Sequence, residues 1–107
     1  MAVKIPIFNC NNEIKKLSMR TSATSYKYTI PQDGYYYLKN EIETTSYSGD
    51  IIISINALPI VSKYVAANEL WPRVEVLLYL KANAVVDFAK PQASNDHIAY
   101  ISAVLYQ

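Results

Sequence analysis

The residues that could perform acid–base or metal chemistry are few and dispersed. His97 is the single histidine, and it follows Asp96 in a polar stretch. An imidazole beside a carboxylate could form half of a metal site or a base with its orienting acid, but a lone histidine in a polar loop is more often a solvent-exposed residue. Asp33 and Asp50 lie in turn-forming sequences, and turn chemistry accounts for them without a bound ion. We therefore expect no catalytic residue, no metal site, no cofactor and no enzyme activity.

The aromatic residues offer a different chemistry, which is contact with a ligand or partner. The sequence has ten tyrosines and one tryptophan, Trp71, which precedes Pro72 between two predicted strands. An exposed aromatic ring can contact another protein or a sugar, whereas a tryptophan can also plug the open end of a β-sandwich. Trp71 is therefore a candidate surface contact, with the plug as the alternative.

The elements that would position these side chains are β-strands. β-branched and aromatic residues are abundant, and Pro, Gly, Asn and Asp mark turns between short apolar runs. These runs predict strands at Tyr26–Ile30, Tyr35–Ile42, Ile51–Ile55, Leu58–Ser62, Val74–Leu80, Val85–Phe88 and Ile98–Tyr106. Seven or eight short strands are typical of a sandwich or barrel. Residues 11–19 allow either a short helix capped by asparagine or a polar loop.

The composition indicates one globular domain. The chain has 107 residues, of which 51% are hydrophobic and 18% charged, a balance that argues against disorder. The net charge of +1 is spread along the chain, so no basic surface is expected to hold a nucleic acid. We find neither a secretory signal pattern nor an apolar stretch long enough for a membrane helix. The single cysteine, Cys10, cannot form an internal disulfide, which fits a reducing compartment or indifference to the redox state.

Several predicted strands are apolar on both faces. In one strand Tyr35 and Tyr37 alternate with Tyr36 and Leu38, so neither face is polar. In the last strand one face carries Tyr100, Val104 and Tyr106. Because no long helical pattern is left to cover a second face, another copy of the chain is expected to do so. The alternative is that the tyrosines lie at sheet edges with their hydroxyl groups in water.

Four motifs, taken in order, resemble the complement globular-head and tumour-necrosis-factor superfamily. The run Tyr28–Leu38 resembles its early strand, in which an apolar residue and a proline precede Gly-Tyr-Tyr. The later runs Ile53–Ile60, Leu78–Val86 and Tyr100–Tyr106 are similar to its Asn-Gly hairpin, its Gly-Asp segment and its closing strand. The similarity covers residues 26 to 107. The chain departs from the family at Ala57, Asn83, Ala84 and Ala103, although Asn56 and Asn83 can still adopt the positive φ that such turns need.

The resemblance implies an all-β jelly-roll sandwich of about 8 to 10 strands over residues 26–107, with residues 1–25 as an N-terminal anchor or edge segment. It also implies a three-fold homotrimer, in which Tyr35 and Tyr37 face the axis and Tyr36 and Leu38 face the interior. For the last strand, periodicity alone selects the interface residues. The candidate trimer interface then comprises Tyr35, Tyr37, Tyr100, Val104 and Tyr106.

The resulting hypothesis is a non-enzymatic structural or adhesion module of a bacteriophage virion. It would be a head fibre, a capsid decoration or a receptor-binding tip, assembled in the host cytoplasm. Its expected partners are further copies of itself, a larger virion or capsid protein contacted by residues 1–19, and a cell-surface receptor or glycan, but neither nucleic acid nor membrane. Two alternatives stay open: a secreted or surface bacterial ligand or adhesin of the same fold, and a carbohydrate-binding β-sandwich that stacks sugars on Trp71 and surface tyrosines.

Overall fold

The chain folds into two layers of β-strands. A computed structural model describes residues 6–20, 24–91 and 96–106, with side chains for residues 24–91 and 97–103. This part of the chain contains eight strands and no helix. The strands are β1 (Pro6–Arg20), β2 (Ser25–Thr29), β3 (Gly34–Ile42), β4 (Gly49–Ile55), β5 (Leu58–Val65), β6 (Arg73–Leu80), β7 (Val85–Ala89) and β8 (Asp96–Tyr106).

Each layer is a four-stranded antiparallel sheet. One sheet has the order β1-β8-β3-β6 and the other the order β2-β7-β4-β5. Strands that pair within a sheet are mostly distant in sequence, and this arrangement of two interleaved sheets is that of an eight-stranded jelly roll. The predicted all-β sandwich is therefore confirmed.

The predicted strands from Tyr26 onward coincide with β2 to β8 to within three residues at each end. The short helix or polar loop allowed at residues 11–19 is wrong, because these residues belong to β1. That strand pairs with β8, for example Lys15 with Ile101 and Leu17 with Ala99. Pairing along a neighbouring strand outweighs the weak helical preference of a single short segment.

Alternation of side chains separates the core from the outer faces, most regularly in β3 and β7. In β3 the even-numbered residues, Tyr36 to Ile42, are buried and the odd-numbered residues lie outside. The core between the sheets is made by Ile30, Tyr36, Leu38, Ile53, Leu80, Ala84, Val86, Phe88, Ala99 and Ile101. A smaller cluster of Ile42, Ile51 and Val65 continues it toward the other end of the sandwich.

Asparagine supplies left-handed backbone in two of the tight turns, as the sequence predicts. Asn56 and Ala57 join β4 to β5 with φ values of 50° and 69°, the positive pair that a two-residue hairpin of type I′ requires. Asn83, with φ of 73°, lies between β6 and β7, and its backbone N–H donates to the carbonyl of Ile30 at 2.8 Å. The Asn56–Ala57 turn fixes the register in which β4 pairs with β5, with Ile55 opposite Leu58.

Candidate functional site

The outer face of the β1-β8-β3-β6 sheet carries a group of aromatic and aliphatic side chains. Cross-strand pairing places Tyr35 opposite Tyr79, and Tyr37 opposite Leu77. Tyr100 projects from β8 on the same side, opposite Lys39 of β3. We define the tyrosine face as Tyr35, Tyr37, Leu77, Tyr79 and Tyr100. It therefore spans the three neighbouring strands β6, β3 and β8.

The four rings of the tyrosine face form two edge-to-face pairs. The rings of Tyr35 and Tyr79 have centroids 5.2 Å apart and planes inclined at 74°. Those of Tyr37 and Tyr100 are 5.9 Å apart and inclined at 65°. This geometry brings the positive edge of one ring to the negative face of its partner, which is a favoured arrangement for aromatic pairs. Each pair therefore holds its rings in place without needing a ligand.

The tyrosine face is open to solvent in the described part of the chain. The side chains of Tyr35, Leu77 and Tyr79 are 38%, 43% and 47% exposed, and Tyr37 and Tyr100 are half-buried. Single exposed apolar residues are ordinary, but contiguous groups are uncommon on monomeric proteins and mark contact sites. This contiguity makes the tyrosine face the candidate functional site.

Charged residues border the tyrosine face toward the start of β6. The hydroxyl of Tyr37 donates a hydrogen bond to Glu75 Oε2, and Arg73 Nε donates to Glu75 Oε1 at 3.0 Å. Arg73 also approaches Glu41 at 3.8 Å, and Lys39 lies 3.9 Å from the same carboxylate. Two cations and two anions thus adjoin the rings, and together they offer both donors and acceptors of hydrogen bonds.

The contact between Tyr37 and Glu75 fixes the protonation state of both groups. Burial, and then the adjacent Glu75 carboxylate, raise the pKa of Tyr37 well above its usual value. The same hydrogen bond from Tyr37, followed by the nearby Arg73, lowers the pKa of Glu75. Near neutral pH the phenol is therefore a neutral donor and the carboxylate a charged acceptor.

A lysine stands over one ring of each aromatic pair. Lys39 Nζ is 5.6 Å from the centroid of Tyr100, and Lys81 Nζ is 5.8 Å from that of Tyr79. Lys81 also pairs with Asp33 at 3.6 Å. Asp33 accepts a hydrogen bond from the backbone N–H of Ala82 at 2.7 Å, and this bond is the main reason that its pKa is lowered. Both ends of the aromatic group thus have a cation nearby.

Trp71 lies apart from the tyrosine face, in the loop that leads into β6. Its side chain is 44% exposed, and its φ of 53° is left-handed, which is rare for a bulky residue. The loop is held to the β3–β4 connection by two backbone hydrogen bonds, from Trp71 to Glu43 at 2.8 Å and from Asn68 to Thr45 at 2.7 Å. Trp71 thus lies in a fixed loop at one end of the sandwich.

The expectation that His97 is a solvent-exposed loop residue is wrong. His97 is the second residue of β8 and is only 1% exposed, because its side chain points between the sheets. Its Nε2 lies 2.7 Å from Asn40 Oδ1, also in the interior. The apolar pattern predicts a strand only from Ile98, whereas β8 begins two residues earlier, at Asp96. The polar residues before Ile98 therefore suggested a loop and not a buried strand position.

A shallow depression of about 260 Å³ lies on the outer side of the other sheet. It is lined by Lys27, Asn56, Ala57, Val85 and Asp87. Asp87 Oδ1 is shielded from solvent and has no hydrogen-bond partner among the described residues. The lining includes no aromatic ring, so this depression lacks the stacking surface that the tyrosine face provides.

The structure brings together three of the candidate interface residues predicted from the sequence. Tyr35, Tyr37 and Tyr100 share the tyrosine face, while Tyr36 and Leu38 point into the core. The side chains of Val104 and Tyr106 lie outside the described residues. Whether copies of the chain meet at this face stays a prediction.

Sequence reasoning missed the contribution of β6 to this face. The alternation of Glu75, Leu77 and Tyr79 was a usable signal, since residues two apart share one side of a strand. Recognising the face also required the pairing of β3 with β6, which joins residues about 40 positions apart and has no local signature.

In residues 24–91 and 97–103 no three His, Cys, Asp or Glu side chains gather in a way that could hold a metal ion. In the same part of the chain no helix is long and apolar enough to cross a membrane.

Comparisons with known proteins identify structural neighbours only. No protein-family model matches the sequence, and no curated protein matches it significantly. A family 35 carbohydrate-binding module from Clostridium thermocellum aligns with 94% of this chain and 96% of its own, at 13% identity and a TM-score of 0.44. A family 35 module from an environmental isolate aligns with 99% of this chain and 85% of its own, also at 13% identity and a TM-score of 0.44.

A third neighbour is a cycloisomaltooligosaccharide glucanotransferase from Paenibacillus sp., solved with cycloisomaltoheptaose. It aligns with 95% of this chain but only 17% of its own length, at 13% identity and a TM-score of 0.42. The resemblance to the complement and tumour-necrosis-factor superfamily is not confirmed by these comparisons. Since identity and TM-score are low for all three neighbours, the function of this chain has to be inferred from its own residues.

Proposed function

We propose that this chain is a non-catalytic carbohydrate-binding domain and that the tyrosine face is its binding surface. The observation that carries the proposal is the juxtaposition, on one outer sheet face, of exposed tyrosine rings with a charge-balanced set of hydrogen-bonding side chains. Carbohydrate binding is one of the alternatives that the sequence left open. The proposed binding surface is now the tyrosine face and no longer Trp71.

The chemistry of a sugar matches both halves of this surface. One side of a pyranose ring presents C–H groups, whose partial positive charge suits the negative face of an aromatic ring. Its hydroxyl groups both donate and accept hydrogen bonds. Glu75 and Glu41 would accept such bonds, and Lys39 and Arg73 would donate them. A purely apolar partner would leave these four charged groups without a role in binding.

Preorganisation favours binding at this face. Tyr37 is held by Glu75, and Tyr35 is held against Tyr79. Rings that are already fixed lose little conformational entropy when a ligand arrives. Tyr79 and Leu77, on the edge strand β6, keep enough exposed surface to be reached from solvent.

The test is retention on polysaccharides. Affinity electrophoresis through gels containing soluble glucan, xylan or mannan should slow the wild-type chain in at least one of them. Tyr79→Ala should strongly reduce that retention, because it removes a ring from the surface while leaving the core unchanged. Tyr64→Ala is the matched control, since Tyr64 is an exposed strand tyrosine on the other sheet. Equal mobility of the wild type in every gel, or unchanged retention of Tyr79→Ala, would contradict the proposal.

A second candidate function is self-association through the same face. The contiguous exposure of Tyr35, Leu77 and Tyr79 favours it, because copies that packed there would remove this apolar surface from water. Light scattering would then give about three times the 12.1 kDa mass of one chain, and Tyr37→Glu would lower it by burying unpaired carboxylates. A wild-type mass of one chain would exclude the trimer and leave the face open for a ligand. The virion role and the assembly in a host cytoplasm stay predictions from the sequence.

A further inference from the structure

We propose that the tyrosine face accepts the interior of a neutral, linear sugar chain of at least three units, lying obliquely across β6, β3 and β8, and not a single sugar or a chain end. This inference rests on the proposed carbohydrate-binding function and adds the length, the charge and the direction of the ligand.

The length follows from the separation of the two aromatic pairs. Tyr35 and Tyr79 share one row of the sheet, whereas Tyr37 and Tyr100 are centred three residues further along β3 and one strand spacing to the side. Standard strand rise and spacing put the two pair centres about 11 Å apart. A single pyranose ring cannot cover both pairs. Linked sugars can, with one unit on each pair and another between them, beside Leu77 and Tyr37.

The position of the face in the sheet indicates the interior of a chain. Tyr79 and Leu77 belong to β6, which is the edge strand, so within the described part of the chain no further strand of that sheet closes the face on this side. A site that encloses the end of a ligand has to be concave, with walls on several sides. Here the ligand could continue past the edge of the sheet without meeting a wall formed by that sheet.

The charges around the face indicate a neutral ligand. Among residues 24–91 and 97–103, three cations and three anions surround the rings, namely Lys39, Arg73 and Lys81 with Glu41, Glu75 and Asp33. Each lysine near a ring already has a carboxylate within 4 Å. A polyanionic chain would have to compete with these carboxylates for the lysines, while the hydroxyl groups of a neutral chain can bond to either charge.

The experiment is a chain-length series measured by calorimetry. The probes are glucose and β-1,4-linked gluco-, xylo- and manno-oligosaccharides of two to six units, with polygalacturonate as the polyanion. We expect the association constant for the preferred series to rise by about tenfold or more between two and four units and then to level off. Tyr79→Ala and Tyr100→Ala should each reduce the affinity for the four-unit chain to about that for two units. Tyr79→Phe, which keeps the ring, should stay close to wild type.

The outcomes separate this inference from the function on which it rests. If single sugars bind as tightly as six-unit chains and Tyr79→Ala abolishes that binding, the face binds carbohydrate but the inference of an extended chain is overturned. If polygalacturonate binds more tightly than every neutral chain, the inference of a neutral ligand is overturned. If neither these probes nor the polysaccharide gels show binding, both proposals fail. Circular dichroism of each variant ensures that a loss of affinity is not a loss of fold.

Discussion

His97 and Asn40 are hydrogen-bonded to each other inside the sandwich, with Nε2 and Oδ1 2.7 Å apart. The amide nitrogen of Asn40 donates to the carbonyls of Ile52 and Ala89, at 3.0 and 2.8 Å. Since the amide oxygen can only accept, Nε2 of His97 must carry a proton and donate it to Asn40. Asn40 belongs to one sheet and both carbonyl partners to the other. The pair therefore links the two layers by polar contacts within an apolar interior.

The pH dependence of stability should report on His97. Burial, and then the positive charge of Lys90, lower the pKa of His97 to about 4 in the folded state, against about 6.5 when unfolded. Well above pH 6.5 the ring is neutral in both states. As the pH falls from 6.5 to 4 only the unfolded state takes up the proton, so the free energy of unfolding drops by about 3 kcal/mol in total. Urea unfolding between pH 7.5 and 4 measures this loss.

The matched variant for this measurement is His97→Gln, which keeps a side-chain donor and cannot be protonated in this range. The difference in stability between wild type and variant should shrink steadily below pH 6.5. Other titrating groups, including Asp33 and Glu75, contribute equally to both proteins and cancel. Parallel pH curves for the two proteins would show that His97 is not buried in a neutral state.

Removing the small side chain of Asn40 should lower the free energy of unfolding by a large amount. Asn40→Ala leaves two carbonyl oxygens and the His97 N–H without their partner, and unsatisfied buried polar groups cost about 1–3 kcal/mol each before any relaxation. We expect a loss of about 3 kcal/mol in the free energy of unfolding by urea. Thr29→Ala, at an exposed position of β2, should change it by less than about 0.5 kcal/mol. A comparable small effect at both positions would mean that water replaces the amide.

The hydrogen-bonded pair of His97 and Asn40 could not be predicted from the sequence, although most strands could. Local composition and turn residues place β2 to β8, because β-branched runs and asparagine turns act over a few residues. They do not reveal that Asn40 is buried, since an asparagine between Lys39 and Glu41 looks like part of a polar strand end. Its burial depends on His97, 57 positions away, and on two backbone groups of the opposite sheet.

The tyrosine face could be predicted only in part, because strand periodicity is visible in the sequence and strand pairing is not. Strand periodicity separates Tyr35 and Tyr37 from Tyr36 and Leu38 without any knowledge of the fold. It does not say which strand lies beside β3, so Tyr79 could not be joined to Tyr35 from the sequence. Strand neighbours in a jelly roll are distant in sequence, and only the folded chain shows which side chains share an outer face.

The same substitution should destabilise the chain far more on the inner face of β3 than on its outer face. Tyr36 is buried and its hydroxyl donates to the carbonyl of Gln32 at 2.6 Å, whereas Tyr35 lies on the outer face. Tyr36→Ala should lower the free energy of unfolding by about 4 kcal/mol, as deletions of large aromatic side chains from cores do. Tyr36→Phe should lower it by about 1 kcal/mol, because it removes only the hydrogen bond. Tyr35→Ala should cost less than about 1 kcal/mol. Thermal or urea unfolding of the three variants would contradict this assignment if the order were reversed.

Glycine at position 57 should stabilise the chain. Ala57 has a φ of 69° in the β4–β5 turn, where the left-handed backbone costs an alanine about 1–2 kcal/mol and costs glycine almost nothing. Glycine also gains entropy in the unfolded state, which offsets part of that relief, so Ala57→Gly should raise the free energy of unfolding by about 0.5–1 kcal/mol. The matched control is Ala99→Gly in the buried middle of β8, where the same substitution should lower stability by at least about 1 kcal/mol, because it removes a packed methyl group and loosens a strand. Equilibrium unfolding in urea distinguishes the two signs, and a loss of stability at both positions would show that the turn does not adopt left-handed geometry at Ala57.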